Sequence, residues 1–180
     1  MFKKLVSGIS LGILFILNPA AMGESNNLDF DNNVLNKSNK NAIDVGKISI
    51  GNIKLGMKER DIIRILGKPK SRNIKYDDVC YGSYITTWKY NGIEIEGLST
   101  TNNPRQSEVH QIITLSPRYP TEKGVKVGDG ISKARKSYSA FISRVNGNNL
   151  AYSNDAYGGL VFSSSTQGVI RTIRLLGASC

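Results

Sequence analysis

The chain has 180 residues, with 24 Lys and Arg against 14 Asp and Glu, a formal net charge of +10, one His, two Cys and one Trp. Apolar residues make up 39% and charged residues 21%, a globular balance that suits one medium domain or two small packed halves. A single histidine and two cysteines exclude most protein-ligated zinc sites, which draw three or four ligands from one chain. No metal and no cofactor is expected.

Met1-Phe2-Lys3-Lys4 gives a positive start, and Leu5 to Leu17 is an uncharged apolar run of 13 residues. Ala21 and Gly23 then stand in the small-residue spacing of a signal-peptidase site. Residues 1–23 therefore read as a secretory signal peptide, with cleavage after Gly23. The apolar run is short of the ~20 residues a spanning helix needs, so no transmembrane segment is expected in the mature chain. The expected location is periplasmic or secreted.

Residues 24–46 hold seven asparagines between Asn26 and Asn41 and show no apolar period. They read as a disordered linker, because such a segment buries too little to offset its ordering entropy. The linker carries Lys37 and Lys40 against Glu24, Asp29, Asp31 and Asp44. The basic excess therefore lies beyond it, spread without a like-charge run or an Arg-rich helix. A solvated basic surface is the plainest reading. Export excludes nucleic acid as the expected partner and leaves anionic lipid headgroups, in weak contact, cell-wall polymers or acidic proteins.

Two short helices are predicted. Ile62, Ile63 and Leu66 share a helical face, with Gly67 as its stop and Pro69 beyond. The second helix follows Gly128-Asp129-Gly130 and runs toward Tyr138. A shift of 72 positions lays Gly56 on Gly128, Leu66 on Tyr138, and Trp88-Lys89-Tyr90 on Leu160-Val161-Phe162. Nearer each end the shift is 60, with Val109, Ile113 and Leu115 over Val169, Ile173 and Leu175. The expected fold is α+β, two tandem helix-plus-antiparallel-meander units sharing one curved sheet, residues 47–118 and 119–180.

Asn91-Gly92 predicts a two-residue hairpin turn that pairs Tyr90 with Ile93, Lys89 with Glu94 and Trp88 with Ile95. Strict alternation then sends Trp88, Tyr90, Ile93, Ile95, Val109, Ile113, Leu115, Val169, Ile173 and Leu175 to the core. The open face receives Lys89, Glu94, Glu96, His110, Ile112, Ile170 and Arg174. Mixed apolar and charged character there marks Lys89, His110, Ile112, Ile170 and Arg174 as a partner-binding surface.

Lys54-Leu55-Gly56-Met57, Leu66-Gly67-Lys68-Pro69 and Trp88-Lys89-Tyr90 resemble the SmpA/OmlA (BamE-like) envelope family. The doubled arrangement is similar to the beta-lactamase inhibitory protein fold. The resemblance implies an exported, non-catalytic protein that binds other proteins. Its role would lie in envelope assembly or in blocking a secreted or periplasmic enzyme, as an inhibitor or immunity-like protein. The chain departs from the BamE pattern in lacking a cysteine near the cleavage site.

Cys80 and Cys180 are the two thiols, and an even count in an oxidising compartment suggests a bridge between them. Two unpaired thiols are the alternative. A catalytic Cys80 would need His110 and Asp77 or Asp78 to converge on it. Glu94 and Glu96 share one strand face roughly 7 Å apart, but glycosidase chemistry also needs a cleft between its carboxylates. No catalytic residue is assigned.

Overall fold

The computed structural model describes residues 41–154 and 158–178. The signal peptide and most of the linker lie outside the described residues, as does Cys180. Within them the chain forms α1 (Glu59–Leu66), β1 (Ser71–Asp77), β2 (Ser83–Tyr90), β3 (Ile93–Ser99) and β4 (Glu108–Thr114). It continues through α2 (Ile131–Ser137), β5 (Ser143–Asn146), β6 (Asn149–Ser153), β7 (Gly159–Ser164) and β8 (Ile170–Leu176). All eight strands join one antiparallel sheet in the order β1-β2-β3-β4-β8-β7-β6-β5.

This corrects the expected fold. The chain is broadly α+β, but it forms one large eight-stranded sheet with two short helices, not two tandem helix-plus-meander units. The reason is the pairing of β8 with β4, from Gln111↔Leu176 to Thr114↔Ile173. It makes the hydrogen-bond ladder continuous. The core is continuous too: one buried cluster takes in Ile62, Trp88, Ile95, Ile112, Ile173, Leu160, Phe162 and Tyr138.

The predicted hairpin forms in register, with Tyr90↔Ile93, Lys89↔Glu94 and Trp88↔Ile95. Gly92 holds a φ of 79°, and a Cβ there would collide with Ser116, so the turn needs glycine on two counts. β3 then alternates strictly between buried and half-buried residues. Gly97 breaks its run of side chains for a specific reason: a Cβ would lie 2.8 Å from the Trp88 ring.

The helices lie over the Trp88 face. α1 buries Ile62, tucks Leu66 against the core and stops at Gly67, whose N–H donates to Ile63 O. Ile63, expected on the buried face, points outward. Behind α2, Tyr138 meets Tyr152 and Phe162 at ring-centroid distances of 5.3 and 5.7 Å. Its hydroxyl donates to Glu122 at 2.9 Å, and that of Tyr152 donates to Ala134 O at 3.2 Å. Both buried phenols are thus satisfied.

Part of the expected linker belongs to the fold. Asn41 bridges Phe141, and Ile43 is fully buried among the core residues. One isoleucine in a polar stretch has no period, so nothing local announced its burial. Ile48, Ile50 and Ile53 follow it into the core. Ile50 also bridges Thr121, and Gly51 N–H donates to Pro120 O at 2.8 Å, tying the segment after the linker to the residues around 120.

Two bulges redirect the later strands. In β4 the register shifts between Glu96 and Gly97, which pair with Gln111 and Val109 and leave His110 as the extra residue. In β8 the shift falls opposite Ser163 and Ser164, which pair with Thr172 and Ile170 and leave Arg171 extra. Each insertion reverses the in-out phase from there onward. Ile112 and Ile170 therefore point to the core, both at 0% exposure, against the expectation of an open-face position. Ile113 moves to the open face, and Leu115, expected in the core, lies past the strand end at 65% exposure.

Candidate functional site

The face of the sheet opposite the helices carries the candidate site. One row of directly paired residues crosses it, from Lys89 through Glu94, Ile113, Arg174, Val161 and Ala151 to Arg144. Of the expected partner-binding residues, Lys89 and Arg174 lie in this row, three strand spacings apart, or about 14 Å. His110 stands beside it in the β4 bulge. Ile112 and Ile170 lie on the far face and take no part. Ile113, Val161 and Ala151 supply the apolar character in their place, all of them half-buried.

Charge is distributed around that apolar strip. Lys89 Nζ pairs with Glu94 at 3.1 Å, and the neighbouring Glu96 accepts from Gln111 Nε2 at 2.9 Å. Burial raises the Glu96 pKa and the adjacent Glu94 raises it further, while Lys75, Lys89 and Arg174 act the other way. Arg174 is exposed and has no carboxylate within ion-pair distance among the described residues.

Tyr81 covers His110. Its hydroxyl hydrogen-bonds Nε2 at 3.0 Å and the rings meet edge-on at 5.0 Å. Burial lowers the His110 pKa, which favours a neutral imidazole, and burial followed by the charges of Glu96 and Asp77 raises that of Tyr81. Gly177 closes the other side, its N–H donating to His110 O at 2.8 Å. The pairing of Tyr81 with His110 was not legible in the sequence, because the bulge that aims His110 has no local signature.

The catalytic alternatives find their residues engaged otherwise. Cys80 N–H and Val79 N–H both donate to Asp77 Oδ1, as a turn does, and His110 is held by Tyr81. Glu94 and Glu96 are each met by a side chain across the ladder. Two clefts, of about 490 and 280 Å³, adjoin Leu98 and Glu108; the first lies beside Lys58 and Gln106, the second beside Gly56 and His110. Neither is lined by that carboxylate pair.

No protein-family model, curated protein or solved structure matches the chain. Among the described residues no helix is long and apolar enough to cross a membrane, and no group of His, Cys, Asp and Glu is placed to hold a metal ion.

Proposed function

We propose that this is an exported, non-catalytic protein-binding module of the bacterial cell envelope, which docks another exported or outer-membrane protein on the sheet face opposite α1 and α2. The observation that carries this reading is the row from Lys89 to Arg144. Ile113, Val161 and Ala151 offer an apolar centre, Arg174 stands within it with no ion-pair partner among the described residues, and Lys89, Glu94 and Arg144 form a charged rim. Protein interfaces favour that anatomy, with a desolvated centre, arginine among the anchors and polar surroundings. The resemblance of residues 54–90 to the SmpA/OmlA family supports the envelope setting.

Capture of partners from a native envelope extract by the tagged chain, compared with the Lys89→Glu/Arg174→Glu variant, tests the reading. A protein retained by the natural chain and lost by the variant, at an unchanged melting temperature, supports it. Equal retention by both would remove the sheet face from the argument. The identity of the retained protein separates the roles: a single soluble enzyme at equal stoichiometry marks an inhibitor, and outer-membrane components mark an assembly factor.

A further inference from the structure

We infer that the free edge of β5, with the groove between β5 and α2, binds an extended acidic segment of a protein partner by strand addition. This rests on the protein-binding reading above but adds the sheet edge, which meets the first surface at Arg144. β5 closes one end of the sheet and pairs only with β6. Among the described residues nothing pairs with its outer N–H and C=O groups. Just upstream, Asn41 N–H donates to Ala140 O at 3.3 Å and Asn41 O accepts from Ile142 N–H at 3.0 Å. That cover stops where β5 begins, and all four residues of the strand are exposed.

Sheet edges in soluble proteins are ordinarily covered, or blunted with charge or proline. Here Ile142 is 48% exposed and Val145 56% exposed, two large apolar side chains at the open end. Val145 borders a cavity of about 160 Å³, which it shares with Leu150, Ile131 and Arg135. An apolar wall with a guanidinium on α2 suits an extended chain that presents alternate apolar and acidic side chains.

Charge selects the occupant. Arg135, Lys136 and Arg144 have no ion-pair partner among the described residues. The nearby acids are engaged, Asp129 by Lys133 at 2.8 Å and Glu122 by the Tyr138 hydroxyl at 2.9 Å. A second copy adding β5 to β5 would bring like charges together across the new ladder, whereas the acidic side of an added strand meets Arg144 on the face opposite the helices or Arg135 on the helix side. Main-chain pairing then supplies affinity and alternate side chains supply specificity.

Two capped decapeptides, one alternating glutamate with valine and one alternating lysine with valine, test this against the isotopically labelled chain. The acidic peptide should shift the amide resonances of β5 and of Ile131 and Arg135, slow hydrogen exchange in β5, and bind at least about tenfold more tightly than the basic one. Arg135→Glu with Arg144→Glu, both at exposed positions, should reverse that preference while circular dichroism stays unchanged. Lys89→Glu with Arg174→Glu should leave peptide binding as it was. Shifts confined to the sheet face opposite α1 and α2, or none with either peptide at about 1 mM, a level that reveals even a millimolar Kd, would overturn the edge assignment. The sheet-face reading would survive either result, because it stands on the extract comparison alone.

Discussion

Glu59 Oε1 accepts two hydrogen bonds at once, from the Trp88 indole N–H at 3.0 Å and from Arg72 at 2.7 Å. The carboxylate sits in the first turn of α1, buried, and fastens that helix to β2 and β1. Burial works to raise its pKa, but the hydrogen bonds from Arg72 and Trp88 and the charges of Arg72 and Arg105 together outweigh it and hold the value below the ordinary 4.5. Its folded pKa is thus depressed. The stabilisation is complete above the ordinary value and is lost as pH falls through the folded one.

Glu59→Ala should therefore destabilise the fold by about 3 kcal/mol, since it leaves a buried indole N–H and a guanidinium without their acceptor. Glu59→Gln keeps an acceptor for Trp88 and should cost less. Denaturant unfolding followed through the fluorescence of Trp88, the single tryptophan of the chain, reads both effects. The Glu59→Ala loss should shrink in acid, where the natural carboxylate is protonated.

The phase reversal in β4 separates two adjacent isoleucines. Ile112→Ala should cost about 2–5 kcal/mol, the range for opening a cavity in a core. Ile113→Ala, on the half-buried open face, should cost under about 1 kcal/mol and instead weaken partner capture. Equal losses in thermal unfolding would argue against the bulge at His110.

His110 is the only histidine of the chain, so its ring protons give an unambiguous titration. Burial depresses its pKa below 6.5, so the neutral form is favoured by the fold. The associated stability is present above the unfolded value and is lost as pH falls through the folded one. Tyr81→Phe, which removes the hydroxyl from Nε2, should move the titration upward. A midpoint at or above 6.5 in the natural chain would contradict the covered position.

The Cys80–Cys180 bridge remains our proposal. Gly177 lies against His110, whose ring contacts Tyr81 beside Cys80, and three residues reach at most roughly 10 Å. Non-reducing peptide mapping should recover the two cysteines in one linked fragment. Reduction should lower stability by up to about 4.7 kcal/mol, the chain-entropy value for a closed loop of about 100 residues. Separate fragments, free to alkylate, would refute the bridge.

What was legible in the sequence had a local cause. Asn91-Gly92 set the β2–β3 register because few residues tolerate that turn, and Gly67 ended α1 because it takes a φ of 79°. The residues misplaced in the strands depended on distant partners. The extra residues His110 and Arg171 become bulges only against the strands they face, so alternation counted from the hairpin went out of phase and exchanged Ile112 for Ile113. The buried role of Glu59 likewise required β1 and β2 to arrive beneath it. The same holds for the fold: repeated local patterns suggested two tandem units on a shared sheet, and the β4–β8 pairing with one continuous core makes them a single eight-stranded whole.

That pairing has a kinetic consequence. β4 and β8 are joined by four ladder pairs, yet β5, β6 and β7 intervene between them in the chain. The hairpins on either side close over short turns, whereas this junction must overcome the entropy of a long loop before its contacts repay it. It is the natural slow step in folding. Until it closes, two strands destined for the middle of the sheet remain open edges, exposed to pairing with other chains during the same interval.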